Sequence, residues 1–127
     1  MNLIKILVCC HKPCELPNGD IYLPIQVGKK CSNLDLGIQS DCEINGQDCE
    51  NISEKNNIYC EMTAAYWAWK NIRKLYPNID YIGLCHYRRY FNINWSRLDS
   101  VKIFARKMAA IDEELLRYYI NILEKKR

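Results

Sequence analysis

The sequence predicts an α/β domain with a parallel pair of strands, and three observations carry that prediction. Residues 3–10, LIKILVCC, form an apolar run interrupted only by Lys5. Residues 81–85, YIGLC, form a second. Between them, residues 59–75 are good helix formers with apolar side chains at three- and four-residue steps. Strands covered on both faces read as continuous apolar runs, and strand–helix–strand is the skeleton of a parallel crossover unit.

Each element has a local reason. The first strand closes at HKP, because Pro13 cannot continue a central ladder. Residues 14–55 are punctuated by Pro17, Asn18-Gly19, Pro24, Gly28, Gly37 and Gly46, with one extended piece, IYLPIQV. An irregular segment of that length is uncommon in a compact domain unless it is functional, so it is expected to wrap over a ligand site. Ser53 or Asn57 is the expected helix cap. Met62, Ala65 or Tyr66, Trp69, Ile72 and Tyr76 form the expected buried stripe, with Glu61 outside it, one turn into the helix. Pro77-Asn78 stops the helix. From 100 to 125, Phe104, Met108, Ile111, Leu115, Tyr118 or Tyr119 and Ile122 predict a long amphipathic helix with a basic end, EKKR. The expected division is a domain over residues 1–94 and a helical tail over 95–127.

Composition narrows the function. The chain has 127 residues, 49% of them apolar, which suits one packed domain. Eighteen basic residues against fifteen acidic ones give a net charge of +3, too balanced for a nucleic-acid partner. No apolar run approaches the roughly 20 residues that span a bilayer, and MNLIKILVCC lacks the small-residue site of a secretory signal. The expected location is the cytoplasm. Eight cysteines are then read as free thiols, with Cys9, Cys10 and Cys85 acting as small hydrophobes. No CxxC pair supports a zinc knuckle.

The chemistry concentrates in DYIGLCHYRRYF, residues 80–91. In open α/β sheets, ligands bind beyond the carboxyl ends of parallel strands. CCHKP and HYRRY would share that edge, bringing His11, Lys12, His86, Arg88 and Arg89 together in a site suited to an anion. If the chain stays extended past Cys85, His86, Arg88 and Tyr90 face one side, and Tyr87, Arg89 and Phe91 the other. The alternative is that both arginines pair with carboxylates and His86 is a hydrogen-bonded core residue. GxGxxG, GxxxxGK[ST] and HExxH are absent from the sequence. The acidic pairs Asp41-Cys42-Glu43 and Asp48-Cys49-Glu50 are weak as metal sites and are expected to be solvated loop.

NISEKNNIYCEMTAAYWAWKN followed by YIGLCHYRRYF resembles a bacterial domain-of-unknown-function family (domain of unknown function 4422) found in capsular and exopolysaccharide glycosyltransferases. ILVCCHKP and YLPIQVG extend the resemblance upstream, so that it covers residues 3–92. It implies a Rossmann-like, GT-A-type, partly parallel sheet with flanking helices. It also implies transfer of a sugar from a nucleotide-sugar donor to a capsular, exopolysaccharide or lipid-linked acceptor. Family members continue for about as long again after this motif, so the resemblance is to an N-terminal half and a truncated chain is expected.

Carried onto this sequence, the resemblance implies that His11, Lys12, Arg88 and Arg89 hold the donor diphosphate in place of a metal. Glu61 and His86 are then the candidate bases, and Asn51, Ser53, Asn56, Tyr87 and Tyr90 support the site. No cofactor is expected, with a divalent metal left open. For Trp67 and Trp69, packing between helix and sheet is favoured over sugar stacking. The basic C-terminal end allows peripheral association with the inner face of the membrane. The alternative function is a catalytically inactive remnant or a module that binds a nucleotide or partner.

Overall fold

The computed structural model describes residues 2–90. The long C-terminal helix expected after residue 100 lies outside these residues. The framework is a four-stranded sheet in the order β3-β2-β1-β6. It is built from β1 (Leu3–Cys10), β2 (Tyr22–Gln26), β3 (Gln39–Ser40) and β6 (Ile79–His86). Every pairing in it is parallel. The chain steps outward from β1 to β2 and β3. It then crosses back through α1 (Asn56–Tyr59) and α2 (Met62–Leu75) to place β6 on the other side of β1. The switch point between β1 and β6 is therefore the crevice where such sheets bind ligands.

β1 is apolar except at Lys5 because both of its faces are covered. Ile6, Val8 and Cys10 pack with Ile21, Tyr22, Tyr87 and Tyr90 on one side. Leu7 and Cys9 pack with Ile25, Trp67, Ala68 and Ile72 on the other, beneath α2. Lys5 bends its ammonium to the Asp20 carbonyl and lies 4.8 Å from the centre of the Tyr76 ring, which lets a cation sit in this strand.

The helix differs from its expected form in two ways. It breaks at Cys60, whose φ of 50° and ψ of −129° are costly for a residue with a side chain, so Glu61 precedes α2 instead of standing a turn inside it. The buried stripe is Thr63, Ala64, Trp67, Ala68, Asn71 and Ile72. Met62 and Trp69 are 56% and 73% exposed. Polar members of the stripe are held by hydrogen bonds that hydrophobic periodicity passes over. Asn71 Nδ2 donates to the Glu50 carbonyl at 2.8 Å, and the indole of the fully buried Trp67 donates to the Glu43 carbonyl at 3.1 Å.

The long connecting segment is organised around Asp41, which is fully buried, contrary to the expected solvated acidic loop. Its Oδ2 accepts the Gly28 N–H and the Thr63 hydroxyl, both at 2.7 Å. Its Oδ1 accepts the Ser53 hydroxyl at 2.6 Å and the Lys29 N–H at 3.3 Å. Two donors on each oxygen satisfy the carboxylate and compensate its burial. Ser53 therefore acts as a tie to Asp41, not as a helix cap. Its hydroxyl also accepts the Lys30 N–H at 3.1 Å. Asn51 Oδ1 accepts the Ser53 N–H, and Asn56 Nδ2 donates to Thr63 Oγ1, both at 3.1 Å. Gly28 is required here. Its φ is +66°, and a Cβ would lie 2.7 Å from Asn56 Oδ1.

Asp41→Ala strands several buried donors, each costing about 1–3 kcal/mol when unsatisfied. We expect a loss of about 3–5 kcal/mol, read as a lower urea midpoint. Gly28→Ala should cost about 1–3 kcal/mol through backbone strain. Wild-type midpoints in either variant would contradict this account of the segment.

Candidate functional site

The site lies where β1 and β6 end. Cys9 stands opposite His86, and the Tyr87 N–H donates to the Cys9 carbonyl at 3.1 Å, extending the ladder one step. The chain then folds back. The Arg89 N–H donates to the His86 carbonyl at 2.8 Å, and the His86 N–H donates to the Arg89 carbonyl at 3.2 Å. A tight turn with Tyr87 and Arg88 at its corner replaces the extended continuation expected past Cys85, so side chains do not alternate along HYRRY. Tyr87 and Tyr90 are buried and root the turn. Tyr90 meets Tyr22 edge-on at 5.9 Å. Arg88 and Arg89 remain exposed at the surface.

The aromatic rings form a compact group. The ring centres of His86 and Tyr87 are 4.4 Å apart, those of His11 and Tyr87 5.3 Å, and those of His11 and His86 6.1 Å. The Arg88 guanidinium carbon is 5.5 Å from the centre of the Tyr87 ring, within cation–π range. Among the described residues, neither arginine has a carboxylate within 4.0 Å. The ion-paired alternative for them is therefore not what the described residues show.

His86 links the turn to α2. Its Nδ1 accepts the Arg88 N–H at 3.3 Å, which puts the ring proton on Nε2 in the neutral form. Nε2 faces Glu61 Oε1 at 3.7 Å, an ion-pair separation too long for a direct hydrogen bond. Burial pushes the His86 pKa below the ordinary value of 6.5; Glu61 partly opposes this, while Arg88, His11 and Arg89 reinforce it. The imidazole is therefore neutral at pH 7 and has no unused lone pair. Glu61, whose side chain is 44% exposed, keeps accessible acceptor oxygens. The contact brings the N-terminus of α2 to the carboxyl edge of the sheet, where the helix dipole favours an anion.

On the other face of β1, a cavity of about 240 Å³ is lined by Lys12, Pro13, Leu16, Leu36, Ile38 and Asp35, with Cys10 and Cys14 in its wall. It joins the loop after β1 to the loop after β2. Asn51, Ser53 and Asn56 belong to the Asp41 network, not to the histidine–arginine cluster. Among the described residues, no group of three or more His, Cys, Asp or Glu side chains could hold a metal ion. The acidic loop is committed elsewhere: Asp41 to its four donors, Asp48 to Lys30, and Glu50 to Lys70 and Tyr66. Patterning alone gives Asp41 only as solvated loop and leaves Thr63 out of the helix stripe, because a single acid in an irregular segment carries no period.

A lowered His86 pKa has a fixed sign. Between the folded value and the unfolded value near 6.5 the unfolded chain binds more protons, so this histidine's contribution to stability falls as pH drops below about 6.5. NMR titration of the ring should give a midpoint below 6.5, and Glu61→Gln should move it lower still. A midpoint that Glu61→Gln leaves unmoved would show that the two groups do not interact.

Comparison with known proteins agrees with this architecture. No curated protein matches the chain. The solved apo structure of the WbbM bifunctional glycosyltransferase is similar, with a TM-score of 0.71 and 33% sequence identity. The match covers 92% of this chain and 21% of that one, so the chain spans about a fifth of the length of its structural neighbour. The family model described as Domain of unknown function (DUF4422) matches residues 5–127, extending beyond residue 92, where the resemblance read from the motifs stops. With a parallel sheet, a shared site edge and a match over nearly its whole length, the chain belongs to the DUF4422 family.

Proposed function

We propose that this domain is the donor-binding part of a glycosyltransferase. It holds a nucleotide-sugar for transfer to a capsular, exopolysaccharide or lipid-linked oligosaccharide acceptor at the inner face of the cell membrane. The observation that carries the reading is a pair of exposed arginines, on a turn rooted by two buried tyrosines, at the switch point of a parallel sheet. Guanidinium groups grip phosphate through paired N–H donors. Arg88 and Arg89, with His11 and Lys12 across the crevice, match the charge of a diphosphate. The nucleoside would occupy the cavity beside Lys12, between Pro13 and Leu36.

The residues divide the chemistry. As the bond to the sugar breaks, negative charge grows on the diphosphate leaving group, and fixed cations stabilise that charge without reorganising. Neutral His86 is suited to holding the turn and donating from Nε2. Glu61 is the base for the acceptor hydroxyl, since its oxygens are accessible, while His86 Nδ1 already accepts the Arg88 N–H and Nε2 carries the ring proton. The loop carboxylates offer no acidic pair free for a cation, so the arginines carry the leaving-group charge in this proposal.

Thermal unfolding with nucleoside diphosphates and nucleotide-sugars tests the reading. A ligand at about one hundred times its dissociation constant adds about 2.7 kcal/mol of stability. We expect one nucleotide to stabilise the chain with or without EDTA, and Arg88→Ala to lose most of that effect. Glu61→Gln should keep the stabilisation and lose sugar transfer. A chain that no nucleotide stabilises would overturn the proposal; stabilisation without transfer would leave a binding module.

A further inference from the structure

Cys10 and Cys14 bracket the loop that carries His11 and Lys12, and their sulfurs are in contact. Cys14 Sγ lies 3.8 Å from Cys10 Sγ, and Cys10 Sγ lies 3.3 Å from the Val8 carbonyl oxygen. The Cys14 thiol is thus directed at Cys10, whose own proton is directed at the end of β1. Both are free thiols in this structure, Cys10 buried and Cys14 half-buried. Neighbouring cysteines are not equivalent to this pair. Cys9 faces the opposite side of the sheet, beneath α2. Cys85 is on β6 beside Val8, lower on the Cys10 face.

We propose that Cys10 and Cys14 form a thiol modification site, oxidised to an intramolecular disulfide by a low-molecular-weight disulfide such as oxidised glutathione. Cys14, the more accessible sulfur, attacks as its thiolate, forming a mixed disulfide and releasing one glutathione thiol. Cys10, after losing its proton to solvent, attacks Cys14 Sγ and releases the second. The protein loses two hydrogens, and the oxidant is reduced to two thiols. A disulfide needs a separation of about 2.05 Å. The sulfurs must therefore close from 3.8 Å, and since Cys10 belongs to a strand buried on both faces, Cys14 and its loop must move. Both cysteines line the cavity with Lys12 and Pro13, so closure reshapes it. Burial and the nearby Cys14 push the Cys10 thiol up, which makes resolution the slower step.

The consequence for nucleotide binding rests on the donor-site reading; the disulfide itself does not. The purified full chain is incubated with oxidised glutathione, its remaining thiols are alkylated, and its tryptic peptides are mapped by mass. Trypsin leaves the Lys12–Pro13 bond intact, so both cysteines stay in one peptide. We expect that peptide to lose two hydrogens, in wild type and in Cys9→Ala and Cys85→Ala, but not in Cys14→Ser. Exposed Cys31 and Cys60 report that the oxidant has acted. Glutathione on those two with Cys10 and Cys14 still reduced, or a glutathione adduct persisting on Cys14, would overturn the site. Nucleotide-induced stabilisation should disappear on oxidation and return with dithiothreitol. A crosslink that leaves it unchanged would overturn the regulatory role. A crosslinking chain that no nucleotide stabilises even when reduced would count against the donor site alone.

Discussion

The four hydrogen bonds on Asp41 are the constraint on which the rest of the structure depends. They join segments that the sequence separates widely: Gly28 and Lys29 after β2, Ser53 in the short helical turn, and Thr63 in the first turn of α2. Each oxygen takes two donors, and both hydroxyls pass the arrangement on by accepting from Lys30 and Asn56. An ionised carboxylate removed from water is tolerable only with this degree of satisfaction. The network pins the start of α2 beside the carboxyl end of β2. Because Glu61 stands two residues before Thr63, the same network delivers it to His86. The backbone strain at Cys60 lies on that path, held by the Asn56 side chain, which donates to the Cys60 carbonyl at 2.7 Å.

On the other side of the crevice the organising force is burial. Tyr87 and Tyr90 fix the HYRRY turn by packing into the core of the sheet's second face, leaving the two residues between them no route inward. The two guanidinium groups are consequently held at the surface, and among the described residues neither has a carboxylate within 4.0 Å. Like charges at one edge repel, and Arg88 and Arg89 add to the lowering of the His86 pKa that burial chiefly causes. In the proposed function, an anion in the crevice would relieve the repulsion between Arg88 and Arg89.

Much of this was legible. Continuous apolar strands and a helix between them led directly to the parallel sheet, because a strand covered on both faces must be apolar along its length. The convergence of His11 and His86 followed from parallel geometry alone. Three features were not legible, for separate reasons. The Asp41 network has no periodicity, since its members come from four places in the chain. The α2 stripe was misassigned because Thr63 and Asn71 are buried polar residues, while Met62 and Trp69 are exposed apolar ones. The turn at His86 reverses direction without glycine or proline at its corner; burial of Tyr87 and Tyr90 holds it. One cue was present but unused: Asn45-Gly46, both with positive φ, forms the tight corner between β4 (Glu43–Ile44) and β5 (Gln47–Asp48).

β1 explains how one site can combine fixed and adaptable parts. Its two faces belong to different cores, with Leu7 and Cys9 under α2 and Val8 and Cys10 against the tyrosines. A strand held from both sides cannot shift, so its end is a fixed reference for everything that follows. Glu61 and His86 are positioned against that reference by the Asp41 network and by the ladder between Cys9 and Tyr87. Lys12, Arg88 and Arg89 are long, exposed side chains on a loop and a turn beyond it. In the proposed function the base needs accurate placement, because small displacements of reacting groups are costly in rate. A diphosphate grip would need reach and charge more than rigidity, since phosphate oxygens accept from several directions. The division between a carboxylate–imidazole pair placed by the elements beneath it and cations exposed beyond it therefore follows from which segments the two cores hold.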